Sequence, residues 1–342
     1  VFQVIGAGED IMVDHHSATA PGEPVNTFRQ EVRAGSGRTV WHWLIRCLVT
    51  VFLLAILFRR VPWQEVWPVW QELPLRVWFL AVALAVLSML ISAYKWQLIL
   101  AEPGETTPGT GRLLRIYLIG LFFNNFLPSG MGGDVLRVAL AAKTTGTPRA
   151  AASVLLERLL AAVGLVLPSL LIYFPFRAQL GAVSVAVPLL AMGVILLAAV
   201  LLFPGLAGVV VRLCGRWPQV ALGLGRSFET LARYRRRPGM LLRVILWSTV
   251  FQGTVILINY ALFMGMEVPV SLAACAVLVP LISALAMLPL SINGLGLREW
   301  SYVTLFASLG VDTAASLAVS LTFFLVVLLV SLAGGVLYVL EK

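Results

Sequence analysis

The sequence predicts an all-α, polytopic integral membrane bundle containing two pseudo-symmetric broken or re-entrant helices. Three observations carry this prediction. The 342 residues are 60% hydrophobic and only 12% charged, against roughly 25% charged in an ordinary soluble domain. The apolar residues gather into six to eight runs, each near the about 20 residues that span a bilayer. The pattern L-P-x4-G-x2-L-R occurs twice, at 127–137 and at 288–298. Strand-type alternation is missing, which argues against a membrane barrel, so helices must satisfy the backbone polar groups in lipid.

Residues 1–38 are polar, contain Gly and Pro and show no helical period. They read as a disordered tail ahead of a membrane domain over 39–342. His15 and His16 adjoin in that tail, where a flexible pair makes no metal site. The first apolar run, 40–58, contains Arg46 near enough to an end to snorkel. The connector 59–76 carries Trp63, Trp67 and Trp70, the aromatic mark of an interfacial helix. The second run is 77–100, with Lys95 and Trp96 read as its interfacial end. A polar loop follows at 101–111.

The third run starts near Leu113 and holds the first break, 117–137, YLIGLFFNNFLPSGMGGDVLR. It meets Asn124 and Asn125, breaks at Pro128 and a glycine cluster including Gly133, and restarts as a helix at Asp134 with Arg137 one turn on. Further runs are expected at 149–174, containing Glu157 and Arg158, and at 182–203. Next comes 240–264, with Asn259 and Tyr260 as polar guests, then 270–290. The second break, 288–299, reads LPLSINGLGLRE. It includes Pro289, Asn293, Gly294, Gly296, Arg298 and Glu299, with a short helix expected over 294–309 and a final span over 313–340.

The net charge of +9 arises from 25 basic residues, of which only Lys95, Lys143 and Lys342 are lysines. Arginine suits bidentate phosphate contacts, although a GC-rich coding sequence produces the same bias. The charge sits in connectors, which speaks for anionic lipid and not for nucleic acid. The connector 204–243 holds eight arginines against Glu229, so it is assigned to the cytoplasm as an anionic-lipid contact. The basic stretch 137–149 then falls on the same side. A re-entrant third run places the tail there too. Cys47, Cys214 and Cys275 lie in apolar surroundings without paired spacing, as small buried hydrophobes do.

A helix broken within the bilayer frees backbone groups that cost several kcal/mol each when left facing lipid. Such breaks persist beside protein or a water-filled cavity. Helices restarting at Asp134 and Gly294 would aim positive N-termini at that cavity, a natural place for phosphate. The alternative is that Pro128 and Pro289 simply end helices at the membrane surface. Asp134 and Arg137 stand three apart on one helix face. Glu157–Arg158 and Arg298–Glu299 are adjacent pairs whose members diverge on a helix. The expectation is therefore that they meet across the bundle, Glu157 with Arg298 or Arg158 with Glu299. Asn124 and Asn125 either join helices or touch a head group. The candidate substrate-binding set is thus Asn124, Asn125, Gly133, Asp134, Arg137, Glu157, Arg158, Asn293, Gly294, Gly296, Arg298 and Glu299, with Pro128 and Pro289 as the hinges. Histidine occurs only at 15, 16 and 42. No metalloprotease, triad, nucleophile-elbow or Walker signature is present, so no catalytic residue, cofactor or metal is expected.

At N-N-F-L-P-S-G-M-G-G-D-V-L-R (124–137), E-R (157–158) and P-L-S-I-N-G-L-G-L-R-E (289–299), the chain resembles the flippase-like transmembrane family of lysylphosphatidylglycerol synthases. The similarity covers roughly 40–340 and leaves out the tail. Asn293 stands where that family commonly has Gly. The resemblance implies movement of a phospholipid between leaflets of the cell membrane, with a separate soluble synthase as the partner. The chain ends at Lys342, so the transport half and not the synthase is expected. Two other readings stand beside it. One is an intramembrane transferase or hydrolase using Asp134 or Glu299 as base; the other is a non-catalytic membrane subunit of a lipid-modifying enzyme.

Overall fold

The structure, a computed structural model, describes residue 48 and residues 63–102, 104–126, 132–202, 234–288 and 290–340. All of these lie in the larger of two units, Arg46–Lys342. The tail, the run 40–58 apart from Leu48, most of the 204–243 connector and both break prolines, Pro128 and Pro289, lie outside the described residues.

Ten α-helices are described: α1 (Trp63–Gln71), α2 (Leu75–Leu100), α3 (Thr110–Phe126), α4 (Gly132–Thr145), α5 (Thr147–Phe176), α6 (Ala186–Leu202), α7 (Pro238–Gly265), α8 (Leu272–Met287), α9 (Leu297–Ala307) and α10 (Thr313–Leu340). Among the described residues α2, α5, α7 and α10 are long and apolar enough to cross a membrane, with mean hydropathies of 2.2, 2.2, 1.8 and 2.7. No strand occurs among the described residues.

Local chemistry sets the helix ends. Gly146, at φ 78°, separates α4 from α5, and Pro148 supplies the first turn of α5. That proline lacks the N–H which a first turn leaves unpaired anyway. Ser271 caps α8 by accepting from the Ala274 N–H at 3.1 Å. Asp312 accepts from the Ala314 N–H at 2.8 Å and opens α10. These are the side-chain acceptors that an exposed helix start requires.

Small residues set the packing. Gly164 of α5 backs directly onto Ser248 of α7, and Gly334 of α10 onto the Leu118 backbone of α3. A Cβ at Gly335 would come within 2.7 Å of the Phe122 ring. Backbones approach this closely only where side chains are missing, the usual way membrane helices associate. Helices α2 and α7 run antiparallel. Gly265 at the end of α7 faces Leu73 and Val77 beside the start of α2, while Tyr94 meets Trp247 edge-on at 5.3 Å near the other ends. Helix α1 lies against α10 through the Trp70 indole, which donates to Thr322 Oγ1. Its Val66 is buried and Trp67 is exposed.

Two helix starts differ from expectation. The first break resumes at Gly132, two residues before Asp134. The second does not resume at Gly294. A 3-10 turn spans Ile292–Gly294, and α9 begins at Leu297. Asn293 (φ 50°), Gly294 (φ 73°) and Gly296 (φ 79°) all take the left-handed region, which a right-handed helix cannot contain.

Candidate functional site

The site grows from the α3–α4 hairpin. At Gly133 a Cβ would run into the Gly120 carbonyl and sit 2.7 Å from Asn124 Cγ, so only glycine lets α4 fold back on α3. Asn124 Oδ1 then accepts from the Gly133 N–H at 2.9 Å. This bond satisfies one of the free donors at the start of α4, the task of a cap. Asn124 therefore joins the two sides of the first break.

Asp134 and Arg137 follow on the first turns of α4. Arg137 is 2% exposed. Its guanidinium lies between the Trp96 ring at 4.4 Å and the Tyr117 ring at 4.1 Å. It donates to Glu157 Oε2 and, at 3.3 Å, to Asp134 Oδ1. Arg158 donates through both Nε (3.0 Å) and Nη2 (2.8 Å) to Asp134 Oδ2. The result is one chain of charge, Glu157–Arg137–Asp134–Arg158. It is buried at the Glu157 end and open at Arg158, whose side chain is 44% exposed.

The second break is arranged differently. Glu299 folds back so that its Oε2 accepts from the Gly296 N–H at 2.7 Å, capping α9. Its Oε1 accepts from Arg298 at 2.7 and 3.1 Å. The Arg298 guanidinium lies 4.7 Å over the Phe324 ring. The expected cross-bundle pairs are thus replaced: Glu157 is held by Arg137, Arg158 by Asp134, and Arg298 by its own neighbour Glu299. Adjacent residues diverge in mid-helix, but at a helix start Glu299 turns back toward the open N–H groups and Arg298 follows its carboxylate. Glu299→Ala is expected to cost about 1–3 kcal/mol by removing a cap and unpairing Arg298. The drop in unfolding temperature in detergent measures it.

The two breaks touch. Asn293 Nδ2 donates to Asn125 Oδ1 at 3.1 Å, across 168 residues of sequence. Asn125 Nδ2, and Ser291 Oγ two residues before Asn293, are buried with no hydrogen-bond partner. Gly294 packs against Ala286, where a Cβ would come within 2.8 Å of its carbonyl.

Lys95 and Trp96, expected at the interfacial end of their run, are turned into the protein, at 2% and 0% exposure. The Trp96 indole donates to Ser153 Oγ at 2.9 Å. An ionisable residue inside an apolar run is a functional candidate by default, and that signal was available for Lys95. Tyr302, whose hydroxyl donates to Asn259 Oδ1, ties α9 to α7. Cys275 is fully buried, as expected.

A multi-pass helical membrane protein with a buried ion network beside two mutually touching helix breaks is the class these features define. Residues 43–335 match the sequence profile of the family described as the lysylphosphatidylglycerol synthase TM region. The chain belongs to that family. Comparison with individual curated proteins yields no match.

Proposed function

We propose that the protein moves a phosphate-bearing lipid between membrane leaflets, its head group passing between the two breaks while the acyl chains stay in lipid. The observation that carries this reading is the Asn125–Asn293 contact, with Asn125 Nδ2 unpaired in it and Ser291 Oγ unpaired in the second break. Buried polar groups without partners are costly, and a passing head group supplies the partners they lack. Family membership supports a lipid-related role.

Arg137 is too enclosed to meet a lipid in this conformation. The phosphate contacts fall instead to Arg158 and Arg298, the more open arginines. Each holds one carboxylate oxygen through its Nε and Nη2, donors to which a phosphate can present two oxygens. When Arg158 releases Asp134, that carboxylate keeps Arg137 on its other oxygen. Glu299 likewise keeps the Gly296 N–H. Partner exchange thus leaves Asp134 ion-paired and Glu299 hydrogen-bonded. Paired broken helices, as in inverted-repeat transporters, would let the two sides open in turn.

The test is exchange of a labelled phospholipid in liposomes carrying the purified chain. The Asn125→Ala/Asn293→Ala double variant is expected to slow exchange at least about tenfold, the change for roughly 1.4 kcal/mol on a barrier. An unchanged rate, or a lipid recovered covalently altered, overturns the reading.

A further inference from the structure

Helices α2, α5 and α7 meet along a seam whose charges and donors do not balance. Lys95 sits in it at 2% exposure, its ammonium 4.8 Å over the Phe251 ring. Arg137 and Arg158 hold Glu157 and Asp134, Arg298 holds Glu299, and Arg149 holds Glu105. Among the described residues, no carboxylate lies within ion-pairing distance of Lys95. The charges it feels are those of Glu157, Arg137 and Arg158, one acid and two bases. With Asp134 included, the cluster holds three cations against two acids. A buried charge without a counter-charge is strongly disfavoured.

An independent observation points the same way. Gln252 lies near the middle of α7 and is 3% exposed, yet its Nε2 has no partner. Ser248 Oγ, one turn before it, and Arg137 Nε are likewise without one. The antiparallel pairing that sets Tyr94 on Trp247 and Lys95 on Phe251 brings Ser248 and Gln252 to the depth of Lys95. The seam therefore has positive charge in excess, and polar side-chain atoms whose hydrogen-bonding capacity is unmet.

We infer that this seam is a monoanion-binding site within the membrane domain, with Lys95 providing the charge and Gln252 Nε2 a hydrogen bond. An oxyanion or halide satisfies both deficits. A lipid phosphodiester and a free inorganic anion share that chemistry. The site is distinct from the contact between the breaks, and its test does not depend on lipid exchange.

The full chain, purified in neutral detergent, is unfolded thermally in sodium chloride, sodium phosphate or bulky sodium gluconate at one ionic strength. In parallel it is unfolded in phosphatidylcholine nanodiscs with and without phosphatidylglycerol. Ligand bound only by the folded state raises the unfolding temperature. The expected result is a rise of several degrees with chloride or phosphate, or with phosphatidylglycerol, that disappears in Lys95→Met and shrinks in Gln252→Leu. A response to the salts identifies a free anion, and a response to phosphatidylglycerol alone identifies a lipid phosphodiester. Should Lys95→Met fail to fold, Gln252→Leu decides. Equal rises in wild type and variants, or no rise under any condition, overturn the inference.

Discussion

Replacing Arg137 by alanine is expected to destabilise the membrane domain by about 3–5 kcal/mol, because Glu157 is left buried without its counter-charge. Glu157 is 3% exposed, and water has little access to compensate. The loss also empties the space between the Trp96 and Tyr117 rings. Adding Glu157→Leu to Arg137→Met should recover most of the stability, since an apolar pair of similar volume leaves no charge behind. Arg158→Ala is the contrast. Its pair is open to solvent, and an exposed ion pair contributes only about 0–1 kcal/mol. Thermal unfolding of the four proteins in one detergent checks the ordering. If Arg137→Ala unfolds at the wild-type temperature, the ion network does not hold the bundle together.

Gly133→Ala is expected to be among the most damaging small substitutions at the described residues. Its Cβ would strike backbone, the Gly120 carbonyl, as well as the Asn124 side chain that caps α4. Relief requires the α3–α4 hairpin to open, which separates Arg137 from Tyr117 and weakens the Glu157 pair. Overpacking of this kind costs about 1–3 kcal/mol even where side chains can shift, and here the obstacle is main chain. Gly253→Ala in α7 is the control. Nothing lies within 4 Å of its added Cβ, and alanine gains up to about 1 kcal/mol over glycine inside a helix. Opposite shifts in unfolding temperature for these two variants are the predicted outcome. Equal shifts would show that the hairpin tolerates separation.

The helices were legible because lipid demands long apolar runs, and run length is a property of the sequence alone. The last span matches at both ends, 313–340, since Asp312 marks its start by capping. The burial of Lys95 was not legible for a specific reason. A Lys-Trp dipeptide near the end of an apolar run has the same sequence whether it snorkels outward or packs inward. Only the neighbouring helices, with Phe251 and Ser153 in place, decide the direction. The pairing of charges was also beyond local pattern. Glu157 and Arg298 look complementary on paper, yet Arg137 is delivered to Glu157 by the glycine-tight hairpin. Asn125 and Asn293 were each marked as candidates from their own motif. Their contact depends on how the two halves pack, which no short-range rule encodes. The start of α9 shifted because three left-handed residues use up the chain between Ile292 and Leu297. Glycine signals such freedom without saying how many residues will take it.

The ion network has one property that bears on how the protein is made. Every member, Glu157, Arg137, Asp134 and Arg158, comes from α4 and α5. The Arg298–Glu299 pair is equally self-sufficient on α9. During synthesis, which proceeds from the N-terminus, the first half can pair its buried acids while the second is still on the ribosome. The later helices then join a partner already free of bare acids. Biogenesis in two instalments, each with its buried acids already paired, follows from the wiring, and the Asn125–Asn293 bond can form only when the second is delivered.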